Sequence, residues 1–411
     1  MKLKLKKSDI EWMVDTAIIL LLLFASGTCY TSIHQSKVYM ATLLILILLL
    51  VFKARAIVSG KSVVLLSAMF FLNLITAGVN IDFDAVSYMG LFITLVIGFC
   101  ACNLIEKERF YEIFLKIILF FCVFSLILMV VSNMYPAFIL GFPVSEYRNF
   151  HTVYGLHTFL GIYPSQINRN CGPFREPGVF EIYLNFALMI VMFRHNSDKR
   201  KLSKILLLVI TIVSTESSTG IIAMAAIFAG YLFYRPQNRN KTHKYLRMIV
   251  MVGLVISVVA VLTIPALLLI KLDSSSTAYS SYLTRHVGTL TDLKLWLDAP
   301  FFGQGITNYE SMYAGTANSI TKALAIYGVV FTFLEAVLLW RFIKVIITRR
   351  EGTATRLCVA AAMAAIFYTQ DILFFPFIQT MLFFEAFEIK KVTGRSVDED
   401  ESRVYARTSI Y

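Results

Sequence analysis

Apolar residues in this chain fall in long runs separated by short polar or basic segments. A helix rises about 1.5 Å per residue and the hydrocarbon core of a bilayer is about 30 Å thick, so a spanning helix needs about 20 apolar residues and at minimum about 17. Candidate spans lie near 12–30, 38–52, 62–79, 85–105, 111–131, 177–194, 202–215, 217–234, 246–270, 318–340, 356–371 and 373–389. The pattern predicts an all-α polytopic membrane protein with about twelve transmembrane helices. Residues 1–389 read as a single integral membrane domain, and 390–411 as a short cytoplasmic tail. Two connections, at about 132–176 and about 271–317, exceed what joining two spans requires, and connections of that length often carry function.

Composition agrees with this reading. Of 411 residues 58% are hydrophobic and 16% charged, with mean hydropathy +0.71, which is too apolar for a soluble globular protein. The net charge of +12 would suggest nucleic acid in a soluble domain. Here Lys and Arg gather in alternate connections, from Lys2 and Lys4 through Arg194, Arg200, Arg235, Arg349 and Lys390, as topology requires. The charge is therefore topogenic, no nucleic-acid partner is expected, and both termini are read as cytoplasmic. The first apolar run lacks a convincing cleavage site and reads as a retained span. Six cysteines, scattered singly apart from Cys100 and Cys102, form neither a disulfide framework nor a zinc spacing. His151 and His157 have no metal-like companions, so no metal and no cofactor is expected.

Basic residues on the opposite side are few, which makes Arg148, Arg169, Arg175, Arg285 and Lys322 informative. At 168–180 a long polar loop runs into an apolar helix. Pro177 lacks an N–H and suits the first helical position, with Glu176 beside the cap. The helix N-terminus and the charges of Arg169 and Arg175 together make a seat for phosphate or diphosphate. Glu176 is then a possible base or an orienting partner for an arginine; the plainer alternative is a corner pinned by an Arg–Glu pair.

Aromatics crowd the first long connection, among them Tyr135, Phe159 and Phe174, and suit either sugar rings or the membrane interface. In the second, Leu283, Val287, Leu290 and Leu297 recur at helical spacing, predicting an amphipathic helix over 279–297 that carries Arg285 and His286. Histidine can carry a proton near neutral pH and arginine can clamp phosphate. The very short turn over 214–220 holds Glu216, Ser217 and Ser218 near bilayer depth, where a carboxylate needs a polar cavity. Glu181 is a further intramembrane carboxylate, and Gln370-Asp371 marks a tight outer turn.

The stretch Arg169-Asn170-Cys171-Gly172-Pro173-Phe174-Arg175-Glu176-Pro177-Gly178 resembles the Arg-x-x-Gly-x-Phe-x-Glu-Pro-Gly signature of bacterial O-antigen and capsule repeat-unit polymerases. The segment 214–220 looks like that family's Ser/Thr-rich segment ending in glycine, with Ser218 and Thr219 where many members have arginine. Pro300 to Gly305, Asn318-Ser319 and Ala325 to Gly328 are similar to its second-loop region.

The resemblance implies a glycosyltransferase-C-like membrane fold acting on undecaprenyl-diphosphate-linked oligosaccharide at the outer face of the bacterial cytoplasmic membrane. No essential metal or cofactor is implied, and a chain-length regulator and a flippase would be partners. It assigns diphosphate binding to Arg169, Arg175 and Arg285, with Arg148 a weaker addition. Glu176 and then His286 become candidate bases for an attacking sugar hydroxyl. A polysaccharide ligase of the same superfamily and a lipid-linked oligosaccharide flippase are the alternatives.

Overall fold

The computed structural model describes residues 7–52, 58–82, 84–135, 143–145, 150–153, 155–160, 169–194, 200–234, 250–251, 253, 277–312, 318–347 and 352–385. The apolar runs form α1 (Lys7–Ala25), α2 (Cys29–Phe52), α3 (Gly60–Val79), α4 (Ala85–Leu104) and α5 (Lys107–Met134). After the first long connection come α6 (Pro177–Phe193), α7 (Lys201–Ser214) and α8 (Ser218–Phe233). The second holds α9 (Thr277–Asp298) and α10 (Ile306–Met312), and the chain continues through α11 (Ser319–Ile346), α12 (Thr353–Thr369) and α13 (Pro376–Glu385). The 246–270 run lies outside the described residues apart from Val250, Met251 and Gly253, as does the tail beyond Glu385.

Among the described helices α2, α3, α4, α5 and α11 are long and apolar enough to cross a membrane, while α6, α8 and α12 are apolar but shorter. The chain is thus a mostly helical membrane protein. Its outward surface agrees: Val51 and Phe52 on α2, Val64 and Phe71 on α3 and Ile127 and Val130 on α5 are exposed. Such a surface would invite aggregation in water and matches hydrocarbon.

The centre is formed by α6 and α13, in which every residue is buried. Aromatic side chains join them. Tyr183 stacks on Phe174 at 4.5 Å and meets Phe377 edge-on at 5.3 Å, and Phe114 of α5 packs on Phe377 at 4.7 Å.

Besides a kink at His34 in α2 (φ −129°, ψ 42°), two features depart from uninterrupted helices. First, the connection after α5 contains a small antiparallel sheet of β1 (Pro143–Ser145), β2 (Phe150–Val153) and β3 (His157–Leu160), in that order. His151-Thr152-Val153 and His157-Thr158-Phe159 are rich in the β-branched and aromatic types that suit strands, and Gly155, at φ +71°, turns the chain between them. Second, α11 is broken at Gly328 (φ 73°, ψ −176°).

The backbone after α9 repairs that break. Gln304 and Gly305 donate to the carbonyls of Ala325 and Ile326 at 2.8 and 3.0 Å, while Val329 and Val330 donate to those of Pro300 and Phe301 at 2.9 and 3.4 Å. Irregular backbone at membrane depth survives only where protein satisfies it in this way. A Cβ on Gly303 would collide with the backbone of Ile326, and one on Gly328 with that of Phe301.

Candidate functional site

Glu176 occupies the N-cap of α6 in extended conformation (φ −157°, ψ 156°), with Pro177 in the first turn. Its carboxylate makes no capping bond and lies 3.4 Å from Nε of Arg175. Both side chains are partly exposed, at 35% and 28%, so a ligand can reach them. The Arg–Glu pair of the plainer alternative is present, at the helix N-terminus.

Buried polar bonds fix the approach to this cap. Asn170 is fully buried, and its Nδ2 donates to Oγ of Ser125 and of Ser214, both at 3.0 Å, while its Oδ1 accepts from the N–H of Gly172. Gly172 needs its left-handed φ of +52°, and the ring of Phe180 fills the place of a Cβ. From the α1–α2 turn, the carbonyl of Gly27 accepts from the N–H of Arg175 at 2.9 Å. Cys171 is buried, which pushes its thiol up to about 12, so it stays protonated and is no nucleophile. Phe159 and Phe174 are core residues, 1% and 0% exposed, which removes them as sugar platforms or interface anchors.

The second part is the 214–220 turn. Arg169 donates through Nε to the carbonyl of Thr215 at 3.1 Å and through a terminal nitrogen to that of Glu216 at 3.3 Å. Glu216 adopts a left-handed φ of +49°, and its side chain is exposed rather than set in a cavity. Ser217 is buried and Ser218 half-buried. The buried carboxylate at this turn belongs to Glu181, at 0% exposure. Neither of its oxygens has a hydrogen-bond partner among the described residues; Ser217 adjoins them without hydrogen-bonding geometry. The charges of Arg285 and then Arg169 act on it, so the positive field of both long connections reaches this buried acid. Gly220 has no room for a Cβ because Glu181 Oε2 occupies that place.

The helix that brings Arg285 is amphipathic as expected. Val287, Leu290 and Leu297 are 46%, 56% and 69% exposed, whereas Asp292 is fully buried and accepts from the hydroxyls of Tyr309 at 2.8 Å and Thr321 at 2.7 Å. The polar face therefore docks on α10 and α11 and the apolar stripe faces outward. His286 follows Arg285 and is exposed.

A third part is the turn between α12 and α13. Gln370 lays its amide where a Cβ of Gly178 would stand, against the first turn of α6. The guanidinium of Arg175 lies over the ring of Phe375 at 5.8 Å. Ser319 holds the turn by accepting from the N–H groups of Ile372 and Leu373 at 2.8 and 3.2 Å. Asp371 is paired with Lys322 at 2.7 Å.

The structure places Arg175 and Glu176 at the N-terminus of α6 and Arg169 on the 215–216 carbonyls, the charge of Arg285 reaches Glu181, and Arg148 lies outside the described residues. Sequence reasoning missed the roles of Asn170 and Gly27, whose partners are remote in the chain, and read Gln370-Asp371 as a tight outer turn without placing it against α6. Among the described residues no three His, Cys, Asp or Glu side chains are grouped as a metal ion would require. No protein-family model, no curated protein and no solved structure matches this chain.

Proposed function

We propose that this chain is a membrane glycosyltransferase that joins oligosaccharide repeat units carried on undecaprenyl diphosphate into O-antigen, capsular or exopolysaccharide. The observation that carries the reading is the Arg175–Glu176 pair at the N-terminus of α6 with Arg169 held on the adjoining 214–220 turn, where the charge of Arg285 from the second long connection is also felt. Arg175 at a helix N-terminus and Arg169 beside it suit an anion with two phosphates. In this proposal the site opens at the outer face of the cytoplasmic membrane, both termini are cytoplasmic, and about twelve spans form a glycosyltransferase-C-like bundle.

A hydroxyl of one unit attacks the anomeric carbon of a chain whose leaving group is already the lipid diphosphate. The protein must position the two sugars, stabilise the charge on the departing diphosphate and accept the hydroxyl proton. The arginines supply the charge, and Glu176, then His286, is the candidate base. Arg175 orients Glu176 and shares its helix end with the phosphates.

The test is to incubate purified protein with lipid-linked oligosaccharides extracted from the source cells and to separate the products on a gel. A ladder of repeat units supports polymerisation. Transfer only to a different acceptor would instead identify a ligase, and movement of substrate between leaflets without lengthening would identify a flippase.

A further inference from the structure

We infer that Asp371, held by Lys322, takes the proton of the attacking sugar hydroxyl in place of the candidates Glu176 and His286 and is the acceptor-side catalytic residue of this site; the inference rests on the glycosyl-transfer reading above. Two side chains of its turn, Gln370 and Phe375, lie against the α6 cap and the residues that hold it. The Gln370 amide fills the space over Gly178, Phe375 lies beneath the Arg175 guanidinium, and the same ring blocks the place of a Cβ on Gly27, whose carbonyl holds the Arg175 backbone.

The environment of Asp371 suits the task. Its side chain is 35% exposed, which allows a sugar to touch it. Lys322 donates to Oδ2 at 2.7 Å and fixes the rotamer, while Oδ1 has no hydrogen-bond partner among the described residues. The turn itself is rigid, because Ser319 accepts two of its N–H groups and donates to the carbonyl of Gln370 at 2.5 Å. Glu176, by contrast, lies beside Arg175, where the diphosphate is to bind and where a second anion is repelled.

The step balances as follows. Asp371 Oδ1 takes the hydroxyl proton as the hydroxyl oxygen forms its bond to the anomeric carbon. The bond from that carbon to the diphosphate oxygen breaks, its electron pair leaves with the lipid diphosphate, and the arginines hold the resulting charge. Asp371 afterwards returns its proton to water.

The experiment compares wild-type protein with the Asp371→Asn and Asp371→Gly variants, using extracted lipid-linked oligosaccharides as substrate. Asp371→Asn should lower kcat by about 100-fold or more, the usual contribution of a general base, with KM little changed. Formate should restore part of the rate of Asp371→Gly and do nothing for wild type, a response that a merely structural aspartate would not give. An Asp371→Asn protein with wild-type kcat, or a defect confined to KM, overturns the inference and leaves the polymerase reading standing. If Asp371→Asn does not fold, absence of formate rescue in Asp371→Gly overturns it. Wild-type protein that transfers no sugar at all overturns both.

Discussion

The N–H of Val329 donates to the carbonyl of Pro300 at 2.9 Å, closing a gap in one membrane helix with backbone from a different segment. Pro300 to Gly305 and Ala325 to Gly328 are thus two halves of one interlock. It works only because Gly303 and Gly328 have no side chain where the strands of backbone touch, and both have left-handed φ. Gly328→Ala and Gly303→Ala should each destabilise by at least the roughly 1–2 kcal/mol of a left-handed L-residue, with steric conflict added. Gly90→Ala, in open space within α4, should be neutral or slightly stabilising. Thermal unfolding in detergent distinguishes the two outcomes.

Asn170→Ala removes the partner of Ser125, Ser214 and the Gly172 N–H at once. Buried polar groups left unpaired cost about 1–3 kcal/mol each. Tm should fall markedly and sugar transfer should disappear with the displaced cap; an unchanged Tm would show that the corner is not held from Asn170.

Gly220→Ala forces Glu181 out of its place, and overpacking of this kind costs roughly 1–3 kcal/mol. Shortening the intruding side chain should relieve it. The double variant Gly220→Ala, Glu181→Ala is therefore expected to unfold at a higher temperature than Gly220→Ala alone, and a double-mutant cycle measures the coupling.

Charge-neutral changes at the arginines separate fold from chemistry. Arg175→Gln combined with Arg285→Gln should abolish polymer while the protein still reaches the membrane in normal amount, read by gel analysis of glycan and by immunoblot of membranes. Full-length polymer from the double variant would sink the assignment of diphosphate binding.

His157 gives the pH dependence a definite sign. It lies fully buried in β3, with no hydrogen-bond partner for either ring nitrogen among the described residues, and burial pushes it down to about 3 from an ordinary value near 6.5. The unfolded chain binds a proton that the folded one refuses. Stability is therefore complete above about 6.5 and drains away as the pH falls from there toward about 3. Hydrogen exchange across β2 and β3 should accelerate over that window, and His157→Phe should lose the acid dependence.

How much was legible beforehand follows the range of the interactions. Apolar runs mark helix positions to within a few residues, as with α4 and α6, because burial in lipid is a local property of composition. Pro177 marks its helix start for an equally local reason. The sheet was not anticipated because His151-Thr152-Val153 and His157-Thr158-Phe159 are too short to outweigh a polar loop. Nor was the break in α11, since Gly328 is permissive in many settings and its partner carbonyl on Phe301 is revealed only by the fold. Glu181, rather than Glu216, became the buried acid because the turn rotates Glu216 outward, and one left-handed residue decides that. Phe174 was ambiguous among apolar aromatics until Tyr183 was found stacked on it.

Helix α6 touches protein along its whole length. A helix in contact with lipid adjusts its tilt when the bilayer thins or thickens, but one sheathed by neighbours takes its depth from them. Membranes of different thickness should tilt α2 and α3 while the cap of α6 stays at a constant height, so the proposed sugar transfer should be insensitive to acyl-chain length even where the protein's thermal stability is not.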